Sequence, residues 1–250
     1  MNNNLCVQTG STILRFGPKA IVCACGLIFK QFAEGFLVRV RVPLVRVLKA
    51  DLDGLASTAD AVAKGGVICY PTDTVYGLGC DPLNSSAIKR TMDVKGDRTK
   101  PMPVLVKGLA DAENLAYITD RARRIAASFW PGPLTMILSS REIVPTILTP
   151  ERRVGVRSPK HPICLDLLGL CSGALIGTSA NLSGRPSATT ALEALKELGD
   201  RVDVILDGGR TPLGVASTVV DLTQPKVTIL REGPVERSEI IRCLRERKLR

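Results

Sequence analysis

The segment that most constrains this chain is Tyr70-Pro-Thr-Asp-Thr-Val-Tyr-Gly-Leu-Gly79. Ahead of it, Gly66-Val-Ile-Cys-Tyr70 is a short apolar run of β-formers and reads as a buried strand. Pro71 ends that strand, because proline has no N–H to give a central ladder. Two hydroxyls then flank a carboxylate, followed by Tyr76 and by glycines at 77 and 79. Open α/β sheets hold ligands beyond the carboxyl ends of their strands, so the loop stands where a ligand is expected. Thr72 and Thr74 can each donate and accept a hydrogen bond, and the glycines let backbone approach a ligand closely. An ordinary strand-to-helix turn with capping hydroxyls has the same composition, so the loop alone does not decide.

Around this loop the chain alternates helical and strand-like patterns. Leu52, Leu55, Ala59, Val62 and Ala63 recur at helical spacing, and Gly65-Gly66 supply a stop. A helix over Ser85–Met92, capped by Ser85 or Ser86, leads to the cationic loop Lys95-Gly-Asp-Arg-Thr-Lys-Pro101 and a strand at Pro103–Val106. Asp120–Trp130 reads as a helix capped by Thr119 and ended by Pro131-Gly-Pro133. Strands are expected at Leu134–Ser139, Val154–Arg157, Ala174–Thr178, Val202–Leu206, Ser217–Leu222 and Val227–Leu230. Helices are expected at His161–Leu168, Ala191–Leu198 and from Val235 onward. The alternation predicts one α/β domain over 48–250, with a twisted mixed sheet and flanking helices.

Residues 1–47 read differently. They hold six cations against Glu34, a balance of +5 within a chain total of +10, and four of the five phenylalanines. An acid-poor leader of this kind suggests a transit peptide, and Ala20–Phe29 resembles a signal h-region too short to span a bilayer. The preferred reading is an N-terminal extension, poorly structured or opened by a misassigned start, with the domain beginning at 48.

The +10 balance favours a polyanionic ligand such as nucleotide phosphate or RNA. Eight cysteines are dispersed without a CxxC pair, which favours a reducing cytosol over a disulfide scaffold. His161 is the single histidine, so schemes needing two imidazoles and a zinc site are disfavoured, and no metal ligands are assigned. No GxxxxGK[ST] or GxGxxG occurs, which counts against a P-loop and a Rossmann dinucleotide site.

Four further loops share the character of the first. Lys95–Lys100 offers three cations and a glycine, groups suited to phosphate. Arg153-Val-Gly-Val-Arg157 alternates, so Arg153, Gly155 and Arg157 share one face, with Arg157 at the strand's carboxyl end. Gly177-Thr-Ser-Ala-Asn-Leu-Ser-Gly-Arg-Pro-Ser187 carries small hydroxyl and amide side chains that can hold an adenine, ribose or phosphate. Ser217-Thr218 and Arg231 repeat the theme near the end of the chain. Five such loops read best as one concave site.

On Pro71–Gly79, Trp130-Pro-Gly-Pro-Leu-Thr135, Val156-Arg-Ser-Pro-Lys-His-Pro162, Thr178–Ser187 and Ser217-Thr218 to Arg231, the chain resembles the YrdC-like family of L-threonylcarbamoyladenylate synthases. The resemblance implies a mixed α/β fold around a large basic cavity. It implies a nucleotidyltransferase that joins L-threonine, bicarbonate and ATP, with Mg²⁺ carried by the ATP, releasing threonylcarbamoyl-AMP and pyrophosphate. It implies a cytoplasmic protein without a membrane span, whose product serves tRNA modification through tRNA or a transferase partner. By position, Thr74, Arg157, Gly177 and Ser217 match the threonine site. Arg98, Lys100, Arg153, Ser179, Asn181, Ser187 and Arg231 match the ATP site. Lys95 and Arg98 take the catalytic places, as phosphate-charge stabilisers.

This sequence departs from the family pattern at three points. Lys95 and Arg98 are one residue further apart than usual, Leu105 stands where some relatives carry histidine, and Ala216 where some carry glutamate. The competing readings are a non-catalytic RNA-binding module and carbamoyl transfer to another acceptor. Against the former, RRM and KH signatures are missing and aromatic residues make up 4% of the chain.

Overall fold

The computed structural model describes residues 45–96, 101–149 and 151–245, together with the backbone of five short strands before them. Those strands are β1 (Leu5–Thr9), β2 (Thr12–Phe16), β3 (Ala20–Val22), β4 (Leu27–Gln31) and β5 (Leu37–Arg41). They pair antiparallel as β1–β2 and β3–β4–β5, in a segment for which the sequence predicted no regular elements.

From β6 (Arg46–Lys49) the chain continues through α1 (Leu52–Ala63), β7 (Ile68–Tyr70), β8 (Gly77–Gly79) and α2 (Ser85–Lys95). Next come β9 (Val104–Val106), α3 (Leu109–Leu115), α4 (Asp120–Phe129), β10 (Leu134–Ser139) and β11 (Arg153–Arg157). Then follow α5 (Pro162–Leu170), β12 (Ala174–Ile176), β13 (Thr178–Ser179), α6 (Ala191–Leu198) and β14 (Val204–Asp207). The chain closes with β15 (Thr218–Asp221), β16 (Thr228–Arg231) and α7 (Arg237–Arg245). β6 begins at Arg46, so the 47/48 boundary drawn from composition falls inside a paired strand.

The α/β class and mixed pairing agree with the sequence, but the strands form two mixed sheets rather than one. One has the order β13-β8-β7-β14-β6 and the other β12-β9-β11-β10-β15-β16. The predicted strand Ala174–Thr178 is where they join. At Gly177 it breaks into β12, paired with β9 in the six-stranded sheet, and β13, paired with β8 in the five-stranded one. The Gly177 amide donates to the Pro103 carbonyl (2.8 Å) across that break.

Local physics accounts for most elements. Asp51 caps α1 by accepting from the Gly54 amide at 2.9 Å, and Gly65, at φ +79°, turns the chain away after it. Asn84, not either serine, caps α2, its Oδ1 accepting from Ser86 and Ala87 amides at 3.1 Å. α2 also runs three residues beyond the predicted end, because Val94 and Lys95 are buried. Thr119 caps α4 as expected. Leu55, Val62, Leu167, Leu168 and Leu206 bury one apolar layer where α1 packs against α5. A larger layer, including Leu78, Ile88, Val104, Met136, Val156 and Ile205, fills the rest. Each such aliphatic side chain contributes about 1.5–3 kcal/mol when taken from water. Together these layers hold the joint between the sheets, with the polar loops at its edge.

Candidate active site

The loop after β7 is folded on its own hydroxyls. Thr72 Oγ1 donates to the Val75 carbonyl (2.7 Å) and accepts from the Thr74 amide (3.1 Å). Thr74 Oγ1 lies 3.0 Å from Thr72 Oγ1, and since Thr72 has spent its hydrogen on Val75, Thr74 donates in that pair. Arg157, at the end of β11, meets the loop from the other sheet. Its Nη1 donates to Thr74 Oγ1 at 2.9 Å, its Nε to the Gly132 carbonyl at 3.0 Å, and its Nη2 to Asp73 Oδ1. Asp73 and Arg157 are both buried, so this is an interior ion pair between the two sheets. Burial pulls the guanidinium pKa down and Asp73 pushes it back up.

Lys95 approaches from a different side. The sequence placed it in a cationic turn, but it is the last residue of α2 and is buried. Its three N–H bonds are shared among four oxygens: the carbonyls of Ser179 (2.6 Å) and Asn181 (2.7 Å), Asn181 Oδ1 (2.9 Å) and, more distant, Ser179 Oγ (3.2 Å). These four oxygens are neutral and solvate the ammonium. Asn181 completes the clamp, its Nδ2 donating to Leu182 O (2.9 Å) and Arg185 O (2.6 Å).

A third corner is built on β15 and β16. Thr135 Oγ1 and Ser217 Oγ are 2.8 Å apart. Arg231 donates Nε to the Ser217 carbonyl (2.9 Å) and Nη2 to Ser217 Oγ (3.0 Å). Burial lowers the Arg231 pKa, and the positive charge of Arg157 lowers it further. Arg157 and Arg231 thus bring like charge to one space, which favours an anion there.

That space is a cavity of about 440 Å³ at the joint of the sheets, within the range of small-molecule sites. Lys95, Arg157 and Arg231 line it, with hydroxyls from Thr74, Thr135, Ser179, Ser187 and Ser217. Among the described residues that line it there is no carboxylate, and Asp73, beside it, is committed to Arg157. No cysteine is among the described residues that line the cavity, and nearby in the core burial pushes Cys69 up to about 12 and Cys80 to about 11. His161 is pulled below its ordinary value by burial, with Asp73 opposing, so it is uncharged at neutral pH.

The profile of the Sua5/YciO/YrdC family, described as "Telomere recombination", matches residues 60–233. The chain belongs to that family. It is 38% identical over 191 residues to the threonylcarbamoyl-AMP synthase of Pyrococcus abyssi, covering 75% of this chain and 56% of that one. The enzyme of the same name from Bacillus subtilis is 34% identical over 192 residues, covering 74% and 55%. The chain thus spans little more than half the length of these two relatives. Among solved structures, Sua5 of P. abyssi complexed with L-threonine superposes with a TM-score of 0.76 at 35% identity, over 80% of this chain and 60% of that one. YciO of E. coli gives 0.70 at 28%, over 77% and 96%.

Within this Sua5/YciO/YrdC domain, the residues expected to bind threonine (Thr74, Arg157, Gly177 and Ser217) all line the one cavity. Of those expected at ATP and catalysis, Lys95, Ser179, Asn181, Ser187 and Arg231 line it too. Asn181 spends its side-chain amide on Lys95 and on its own loop, so it organises the wall rather than presenting a free amide. Arg153 is not brought there. It opens β11 while Arg157 closes it, four residues or about 13 Å along the strand. Arg153 instead pairs with Glu151 and, at 3.3 Å, with Asp221 Oδ2, in a separate surface depression beside Tyr117. Alternation put both arginines on one face, but a strand has two ends. Arg98 and Lys100 lie outside the described residues.

Two contributors escaped the sequence reading. Thr135 was inside a quoted segment but had no role, and pairs with Ser217 only through the parallel register of β10 and β15. Asp73 was visible between two threonines, but only the fold shows that its carboxylate faces Arg157.

Proposed function

We propose that this chain is an L-threonylcarbamoyladenylate synthase, a nucleotidyltransferase that condenses L-threonine, bicarbonate and ATP. The observation that carries the reading is the convergence of Lys95, Arg157 and Arg231 on one hydroxyl-lined cavity, with no carboxylate among the described residues that line it. Relatives bearing the name threonylcarbamoyl-AMP synthase, and a structural neighbour complexed with L-threonine, support the choice of substrate.

In this reading the amine of threonine adds to bicarbonate carbon with loss of water, giving a carbamate. A carbamate oxygen then attacks the α-phosphorus of ATP, the bond to the bridging oxygen breaks, and pyrophosphate leaves. Arg157 and Thr74 hold the amino-acid end, while Lys95 and Arg231 offset charge gathering on the phosphates. Carbamates decompose in water, so holding three reactants in a walled cavity is most of the catalytic task. ATP would enter as its Mg²⁺ complex, the ion held mainly by phosphate and water, since the described residues lining the cavity offer hydroxyls and cations and no carboxylate. Ser179 and Ser187 flank the nucleotide. Arg98 and Lys100 remain proposed partners of the triphosphate.

The product is passed to a tRNA-modifying partner in the cytoplasm. Cys69, Cys80, Cys164, Cys171 and Cys243 are free thiols, which suits a reducing compartment. Among the described residues no helix is long and apolar enough to cross a membrane.

The test is pyrophosphate release with labelled threonine, bicarbonate and Mg-ATP. Release that requires threonine is the expected result. Release without threonine points to carbamoyl transfer elsewhere, and no release at all to a binding module. Arg157→Ala should raise the threonine KM strongly and the ATP KM little, since losing one partner of a buried charged pair costs about 2–5 kcal/mol.

A further inference from the structure

Asp73 does not line the cavity, yet it is 4% exposed against an Arg157 that is 5% exposed. Their contact joins the loop after β7 in one sheet to the end of β11 in the other. Arg157 has five N–H donors. One goes to Asp73, one to Thr74 and one to the Gly132 carbonyl, from three directions, which fixes the plane of the guanidinium. Two N–H bonds remain, one on each terminal nitrogen. The same anchoring orders the hydroxyls, running from Arg157 to Thr74, Thr72 and the Val75 carbonyl.

Stability alone is a poor reason for this arrangement. A buried ion pair is often no more stabilising than apolar residues of its size. Asp73 Oδ2 is buried with no hydrogen-bond partner, an omission that carries a cost. A carboxylate kept in such a place has another use, and its one firm contact is with the cation that lines the cavity.

We propose that Asp73 is a positioning residue for substrate capture: it holds Arg157, and through it Thr74, so that the two remaining guanidinium N–H bonds form a preset fork for the α-carboxylate of the amino acid. This rests on the reading of the cavity as an amino-acid site. A bidentate fork tolerates little tilt, so loosening the guanidinium should weaken the amino acid without touching the nucleotide.

The test is calorimetric titration of L-threonine, alongside steady-state threonine and ATP KM values. Asp73→Asn, isosteric but uncharged, should weaken threonine binding about 10–100-fold, the scale of a misplaced positioning group, and leave the ATP KM unchanged. Because Asp73→Asn leaves a buried cation without its partner, Arg157→Ala and the neutral double variant Asp73→Asn/Arg157→Ala are measured with added guanidinium chloride. Guanidinium should restore threonine binding to Arg157→Ala, where Asp73 still docks it, and not to the double variant. Threonine binding by Asp73→Asn at the wild-type level, or equal rescue of both Arg157 variants, overturns the proposal. A wild-type protein that binds no threonine overturns the functional reading first, and the proposal with it. Threonine binding that survives Arg157→Ala unaided sinks the fork while leaving the reading intact.

Discussion

Gly177 sits against Leu105 so closely that a Cβ added to Gly177 would overlap the leucine's branch point. Leu105 is also the register partner of Arg157, so the three residues meet where the sheets join. The glycine's missing side chain lets one strand cross from sheet to sheet while a full leucine lines the cavity beside the arginine. Gly177→Ala is expected to destabilise the fold by about 1–3 kcal/mol, the usual cost of overpacking. Thermal unfolding measures it. Gly177→Ala/Leu105→Ala should recover part of the loss, because the two sites are coupled. An additive double variant would mean that this contact is not what sets the joint.

Lys95 is expected to matter for both fold and rate. An exposed loop lysine could be removed with no change in melting temperature, but this one is 4% exposed and serves two backbone carbonyls. Lys95→Ala leaves those buried acceptors unmet, at about 1–3 kcal/mol for each. It should also lower kcat about a hundredfold or more, as when a single charge-stabilising donor is lost. Arg231→Ala provides the contrast. Arg231 is exposed over much of its side chain, with only its guanidinium partly buried against Ser217, so its loss should lower activity with less change in melting temperature than that of Lys95. If both variants melt like wild type, the burial of Lys95 contributes nothing.

Much of this was legible in the sequence, and the remainder was hidden for identifiable reasons. Long apolar and periodic runs gave α1, α6 and β10 with boundaries that the structure reproduces. β8 was invisible because Gly-Leu-Gly has low strand propensity. It forms because Gly77 clears the Tyr70 ring and Gly79 clears the Ile176 carbonyl, neighbours that only the fold supplies. α3 did carry a signal, with Leu109, Ala112 and Leu115 at helical spacing and Asp111 Oδ2 accepting from the Gly108 amide at 3.1 Å. At the site, polar loops at strand ends located the cavity. Which cation enters it depended on strand direction, which separated Arg157 from Arg153, and on how far α2 continues, which buried Lys95.

His161 should make stability fall in mild acid. Burial lowers its pKa below 6.5, with Asp73 acting in the opposite sense, and its Nδ1 is buried without a partner. The unfolded chain therefore binds a proton more readily than the folded one between the folded value and 6.5. The contribution of neutral His161 is fully present above 6.5 and is lost as pH falls from there toward the folded value. His161→Gln should flatten the slope of melting temperature against pH in that window. An unchanged slope would assign the acid sensitivity to other groups.

The last prediction concerns where the folded domain begins. Arg46–Lys49 pairs in parallel with Val204–Asp207, and this pairing is continued by Arg46 N to Asp203 O (3.2 Å) and Ala50 N to Asp207 O (3.0 Å). Val47 and Leu48 pack on the two apolar layers from opposite faces of that strand. A chain starting at Val45 keeps all of this and should melt near the full-length value, with threonine-dependent pyrophosphate release intact. A chain starting at Ala50 loses β6, uncovers the edge of β14 and gives up three half-buried side chains, Val45, Val47 and Leu48. That loss should cost about 1–3 kcal/mol and reduce soluble yield, since an uncovered strand edge invites association. The comparison is made by thermal unfolding and size-exclusion chromatography of the two truncations. If the Val45 form is already insoluble or melts well below the full chain, residues 1–44 contribute to folding, and the boundary drawn at β6 is wrong.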